Sequence, residues 1–231
     1  MLVDPTSPIV EGGGVKFTPI ARSLGIFSAT VTVILVVAYT VTLAVGLLSL
    51  ESPQKPIDDP MFTILEVLII VMMPAMVALM VAVHAWAPMN AKALSLTSLV
   101  FMGLLAGVTS VVHFCVLTLS RQPEFAGQSW LPLVLSFNWP SVAYALEILA
   151  WDVFFALSML FAALVFHGSR LAAWIRVLMI ASGVLSLAGL SGVVAGDMQL
   201  RNIGIVGYDG VFLVVAALLA VLFYRTTPQE A

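Results

Sequence analysis

The chain has 231 residues, of which 61% are hydrophobic and 9% charged, with a formal net charge of -3. Soluble domains carry about 25% charged residues, so this composition excludes a water-soluble globular protein; with no basic cluster, the charge offers nothing to a nucleic acid. A single cysteine, Cys115, excludes an intramolecular disulfide and any zinc site built from several thiolates.

Residues 1–22 hold Pro5, Pro8, Pro19 and the run Gly12, Gly13, Gly14. They lack the basic region and short apolar core of a cleaved signal peptide, and so read as a retained, flexible tail. Six apolar runs follow, roughly Ser23 to Leu50, Met61 to Trp86, Ala93 to Ser120, Ser141 to Phe166, Leu171 to Ala195 and Ile205 to Tyr224. Each is long enough to cross a hydrocarbon core that takes about 20 residues of helix. Breakers bound them: Pro53, Pro56 and Pro60 before the second, Pro88 after it, Pro140 before the fourth and Gly168 after it. The expected fold is an all-α, polytopic bundle of six transmembrane helices forming one domain over residues 23–225, with a short tail at 226–231. Between the spans there is no room for a soluble domain.

Six spans put both termini on one side of the membrane. Lys16, Arg22, Lys92, Arg170, Arg176 and Arg225 then share the side of the termini, against Lys55, Arg121 and Arg201 opposite. The bias of basic residues toward the cytoplasm predicts cytoplasmic termini in a cell or plasma membrane. Nine of the twelve carboxylates fall on or toward the opposite side, leaving Asp4, Glu11 and Glu230 with the termini.

In the connection from Gln122 to Pro140, Trp130, Leu131, Leu133, Val134, Leu135, Phe137 and Trp139 make a segment too apolar to be freely solvated. It is expected either to anchor at the interface or to fold back as a lid. Gly103 with Gly107, and Gly192 with Gly196, have the four-residue spacing that lets helices approach, and are expected at contacts within the bundle. Pro74 is expected to kink the second span, as packing or to shape a cavity. A weak echo links Leu65-Glu66-Val67-Leu68 with Leu146-Glu147-Ile148-Leu149, and Trp151-Asp152 with Tyr208-Asp209, in the manner of duplicated helical hairpins.

Glu66, Glu147, Asp152 and Asp209 lie inside apolar runs, where an ionisable side chain is costly and marks a cavity or a partner. Glu66, His113 and Glu147 are each about five to seven residues from the far end of their helices, which places them in one layer. Asp152 is expected deeper, near the middle. At about 100° per residue, Tyr144, Trp151, Asp152, Ser141 and Ser158 share one arc of the fourth helix with Glu147, and that arc is expected to face the interior. Two carboxylates on one arc repel, so a proton or a cation is expected there. The predicted pocket therefore combines Glu66, His113, Tyr144, Glu147, Trp151, Asp152 and Asp209 from the second, third, fourth and sixth helices.

Three chemistries fit these residues. A transport or ligand site would use the carboxylates to exchange protons or hold a small cationic solute, with Tyr144 and Trp151 as an aromatic wall. A membrane enzyme acting on a lipid-like substrate would use His113 with Glu66 or Glu147 as acid and base, or as metal ligands. Haem could be held by His84 with His167, or by His113 with Met198, although histidines at helix ends also serve as interfacial side chains. Cys115, two residues from His113, points elsewhere on the helix and makes a poor nucleophile for that site. A fourth reading is an accessory subunit with a structural polar interior. Expected partners are the bilayer, a small solute or lipid-like ligand, and a membrane-protein partner or a second copy. The sequence names no cofactor.

Overall fold

The computed structural model describes residues 17–50 and 57–227. The predicted N-terminal tail up to residue 16, and the charges Lys16, Glu51, Lys55 and Glu230, lie outside the described residues. Six helices are long and apolar enough to cross a membrane: Pro19–Leu48, Met61–Trp86, Met89–Leu119, Val142–Ala163, Arg170–Ala195 and Asn202–Arg225. The protein is an all-α, six-helix integral membrane bundle. Each helix packs on its chain neighbours and the first closes on the sixth, so the spans form a ring in chain order.

Local chemistry sets the helix ends. Thr18, Ser141 and Ser169 each accept a hydrogen bond from the backbone N–H three residues on, capping the first, fourth and fifth spans. On the face that carries the termini, cations close helix C-termini. Arg22 donates to the carbonyls of Phe223 and Tyr224 at 3.1 and 2.6 Å, joining the first helix to the last. Lys92 donates to the carbonyls of His84 and Ala85 at the end of the second helix.

The half of the ring nearer the termini is filled by an apolar core that includes Met73, Met76, Met80, Met102, Met159 and Phe155, all buried. Between the third and fourth helices, Ser98 donates to the carbonyl of Ser158 at 2.7 Å, and Ser158 donates back to that of Ser98 at 2.9 Å. The fifth and sixth helices approach through small residues. A Cβ on Gly207 would meet the Ser182 carbonyl oxygen at 2.6 Å, so only glycine permits that crossing.

The glycine pairs singled out in the sequence do other work. Nothing lies within 4 Å of where a Cβ of Gly103 or Gly107 would be; both face outward, not into the bundle. Gly192 packs under Arg201 and Asp197 of the connection. Gly196 caps the helix C-terminus with φ +68°. The contact glycines instead include Gly183, Gly189, Gly204 and Gly207, which are not spaced four apart. Pro74 sits within a continuous second helix, also facing outward.

Two stretches depart from α-helix. Ile148–Phe155 in the fourth span and Val206–Val211 in the sixth are π-helical. A π turn closes its hydrogen bond five residues on and takes up roughly one extra residue, so it shifts the phase of all that follows. Ser182 donates to the carbonyl of Gly207 within the second of these stretches, at 2.8 Å.

Candidate functional site

The polar residues of the half opposite the termini resolve into two linked clusters, both centred on the fourth helix. The first is built on His113. Its Nδ1 is hydrogen-bonded to Glu66 Oε2 at 2.8 Å, and its Nε2 lies 3.3 Å from Glu147 Oε2, within ion-pair distance but without a hydrogen bond. Three helices, the second, third and fourth, therefore converge on one imidazole. The indole of Trp151, one turn after Glu147, donates to the same Glu147 oxygen at 2.8 Å. Glu66, His113 and Glu147 are 3%, 5% and 5% exposed, so water does not solvate their charge. Glu147 Oε1 is sealed with no partner.

The connection from Gln122 to Pro140 folds back over this cluster. Phe137 packs its ring 4.8 Å from the His113 ring, and Leu135 joins it against Val112, Val116 and Ala143. Trp130 is instead edge-on to Phe125 and half-exposed, while Trp139 lies edge-on to Tyr144. The connection thus covers the site with Phe137 and leaves Trp130 and Trp139 outside.

The second cluster is built on Asp152. Its Oδ2 accepts from Arg201 Nε at 3.0 Å. Arg201 Nη1 donates to the Tyr144 hydroxyl at 3.1 Å, and the guanidinium lies 4.7 Å over the Tyr144 ring. Arg201 is 7% exposed, and Asp152 fully buried. In the sequence Arg201 counts as a loop cation. Its position immediately before the last apolar run was the available signal that it could fold inward. Asp152 Oδ1 has no polar partner and rests between Gly189 and Gly204, where an added Cβ would come within 3.0 and 2.8 Å of it. Asp152 is thus level with Gly204, in the first turn of the last helix, and lies midway along its own span Val142–Ala163.

On a regular wheel Glu147 and Asp152 already stand about 140° apart, and the π segment adds a local shift of phase between them and Ser158. Glu147 precedes that segment and turns toward the second and third helices; Asp152, inside it, turns toward the fifth and sixth. Ser158, beyond it, turns to Ser98. The single polar arc becomes separate contacts, and the two carboxylates each have their own partner, His113 for Glu147 and Arg201 for Asp152. The Tyr144 face, read as part of a wall for a cation, is covered by the protein's own guanidinium.

Asp209 belongs to neither cluster. It accepts from the Thr40 hydroxyl of the first helix at 3.0 Å. Its neighbour Tyr208 points inward instead, 5.1 Å from Trp151 between ring centroids. Tyr39 of the first helix was also passed over: it is half-buried, packed against the core. A tyrosine in an apolar run carries no periodic signal that separates it from a lipid-facing one.

The remaining sequence candidates do not gather. His84 Nδ1 pairs with the Ser95 hydroxyl at 2.8 Å; His167 is exposed, and Trp86 stacks on Phe166 beside these helix ends. Cys115 lines a shallow outward groove with Ile70, Ser110, Val111 and Phe114, away from His113. Among the described residues no three His, Cys, Asp or Glu side chains are disposed to hold a metal ion. Both nitrogens of His113 already face carboxylates, so Met198 or a metal would have to displace one of them. A cavity of about 320 Å³ lies at the far ends of the first two helices, lined by Val45, Ser49, Asp58, Asp59 and Met61, apart from both clusters.

Comparisons with protein-family models, with curated proteins and with solved structures found no match to this chain.

Proposed function

We propose that the protein is a proton-binding membrane protein whose His113–Glu66–Glu147 triad takes up and releases protons in one leaflet, coupled to movement of the proton or of a small solute. One observation carries this reading: each nitrogen of a buried imidazole faces a different carboxylate. A neutral imidazole has one N–H and can donate to only one of them. To satisfy both, either the ring takes a second proton or one glutamate carries it. The proton count of the triad is thus tied to its geometry. A buried charge group of this kind is expensive to maintain in a membrane, where a purely structural role is met more cheaply by apolar packing.

The charge distribution supports cytoplasmic termini. Two of the three cations on the opposite side, Arg121 and Arg201, are neutralised by Asp59 and Asp152. The orienting bias itself is the six-to-three excess of Lys and Arg on the side of the termini. The triad then lies in the outer leaflet, covered by Phe137.

The test is infrared difference spectroscopy of the protein in liposomes, titrated between about pH 4 and 9. A protonated-carboxyl band should rise and fall with pH, and should change in Glu66→Gln, Glu147→Gln and His113→Gln. A wild-type spectrum with no carboxyl or imidazole change across that range ends the proposal. In the same liposomes an acid pulse should be dissipated faster by wild type than by Glu147→Gln.

A further inference from the structure

The segment that covers the triad is fastened to the bundle by apolar contact. Among the described residues, every hydrogen bond made by residues 123–140 stays within the segment or reaches Gln122 or Ser141 at its two ends. Its inner face is Leu135 and Phe137, packed on Val112, Val116 and Ala143 in a small cluster separate from the main core. The Phe137 ring stands 4.8 Å from that of His113. Before this face, Gly127 turns the chain with φ +77° and has nothing within 4 Å of where its Cβ would be. A stretch held by few buried contacts, with a free turn at one end, opens at a lower free energy than the core.

The same segment exposes a second apolar row. Trp130, Leu133 and Trp139 are 39%, 60% and 42% exposed, so the protein itself does not cover them. Depth indicates what does. His113 is six residues before the end of the third helix at Leu119, about 9 Å in at about 1.5 Å per residue. A segment whose phenylalanine reaches that ring has its backbone near the level of the helix ends, where hydrocarbon gives way to headgroups. Tryptophan suits that boundary, with an apolar ring for the hydrocarbon margin and an N–H for water.

From these two faces we infer that residues 130–139 are a docking surface for the lipid headgroup boundary, and that this contact holds them as a lid over the triad. The boundary of the leaflet opposite the termini takes Trp130, Leu133 and Trp139. Leu135 and Phe137 then seal His113 from the water on that side. Closing excludes water from the triad, and opening lets it exchange protons with the solution. Both faces belong to one short segment, so whatever loosens the outer contact also loosens the inner one. The inference takes the triad as the site proposed above, but its test reads access beneath the lid and does not require the triad to titrate.

The test is a thiol placed under the lid. Ala143, 3% exposed beneath Leu135 and Phe137, is replaced by cysteine in a full chain carrying Cys115→Ala. In phosphatidylcholine nanodiscs, its reaction with a water-soluble methanethiosulfonate is followed by mass. Reaction through an opening follows the population of the open form, so Ala143→Cys should react at least about tenfold more slowly than Glu124→Cys on the exposed part of the connection. Phe137→Ala should speed it about tenfold, and so should Trp130→Ser with Leu133→Ser, which lie outside the cluster around Ala143. Ala162→Cys, fully buried in the main core, should stay unreactive in each variant, which separates lid opening from loss of the fold. The inference falls if Ala143→Cys reacts as fast as Glu124→Cys, if Phe137→Ala leaves it slow, or if the outer-face pair leaves it slow. Slow, variant-sensitive access in a protein whose carboxyl band does not titrate keeps the lid and removes the proton reading; ready access with a titrating band does the reverse.

Discussion

At the scale of single residues, the buried ionisable groups of the fourth helix and its partners are held by one another. Asp152 and Arg201 are each more than nine-tenths buried, so neither can fall back on water if its partner is lost. Removing one member of such a pair costs about 3–5 kcal/mol, whereas replacing both by apolar groups is often neutral. Asp152→Ala should thus lower the unfolding free energy by about 3 kcal/mol or more. Asp152→Leu with Arg201→Met should recover most of it. Reversible unfolding in mixed micelles measures both; equal losses in the single and double variants would show that the pair carries no mutual energy. The sequence made Asp152, Glu147, Glu66 and His113 visible because a charged residue in an apolar run has few explanations. It hid Arg201, since a cation beside a loop has an ordinary one. It also misplaced Asp209, whose side chain leaves the ring interior for Thr40 although its neighbour Tyr208 turns in.

At the scale of the helix, number and order were legible because about 20 apolar residues between breakers leave little choice in a bilayer. Every span predicted from the run lengths is present, with ends shifted by a few residues. Which faces meet was less legible. In an apolar helix, packing faces are written in small residues, and serine counts as well as glycine. The Ser98–Ser158 pair, two reciprocal side chain to backbone bonds with both residues fully buried, fastens the third helix to the fourth. Ser98→Ala and Ser158→Ala should each cost about 1 kcal/mol in the same unfolding measurement. Their coupling in a double-mutant cycle should be about 0.6 kcal/mol, the average for interhelical bonds in membranes. Strict additivity would mean that the two bonds form independently.

For the whole molecule, polarity divides along the membrane normal. Methionine and phenylalanine fill the half by the termini, and the buried ions occupy the other. On the far surface Asp59 accepts from the Thr63 hydroxyl at 2.5 Å and from Arg121 at 3.0 Å. These bonds hold its carboxyl below the usual carboxylate range. That depressed value means the latch contributes fully at neutral pH and fades only as pH falls through the folded-state value. Its exposure makes it sensitive to salt. If the termini are cytoplasmic, as proposed, an epitope after residue 227 should be protected from protease in intact cells, and a cysteine replacing Glu124 should react with an impermeant thiol reagent. Reaction at the C-terminus together with protection at position 124 inverts the orientation and moves the triad to the inner leaflet.

The π segments in the fourth and sixth helices carry a consequence for how this chain tolerates change in length. Glu147 lies before the fourth-helix segment and Ser158 after it, and each is fixed by a partner on the same third helix, His113 and Ser98. An α-helix joining the two would turn the later residue by about 100° for every residue gained or lost. The π turn already takes up about one extra residue, so deleting one residue such as Leu149 should restore regular hydrogen bonding there and leave both fastenings in phase. A deletion in the regular turns outside it has no such surplus and would turn one fastening away from the third helix. The irregular stretch is thus where this span can absorb a change in chain length.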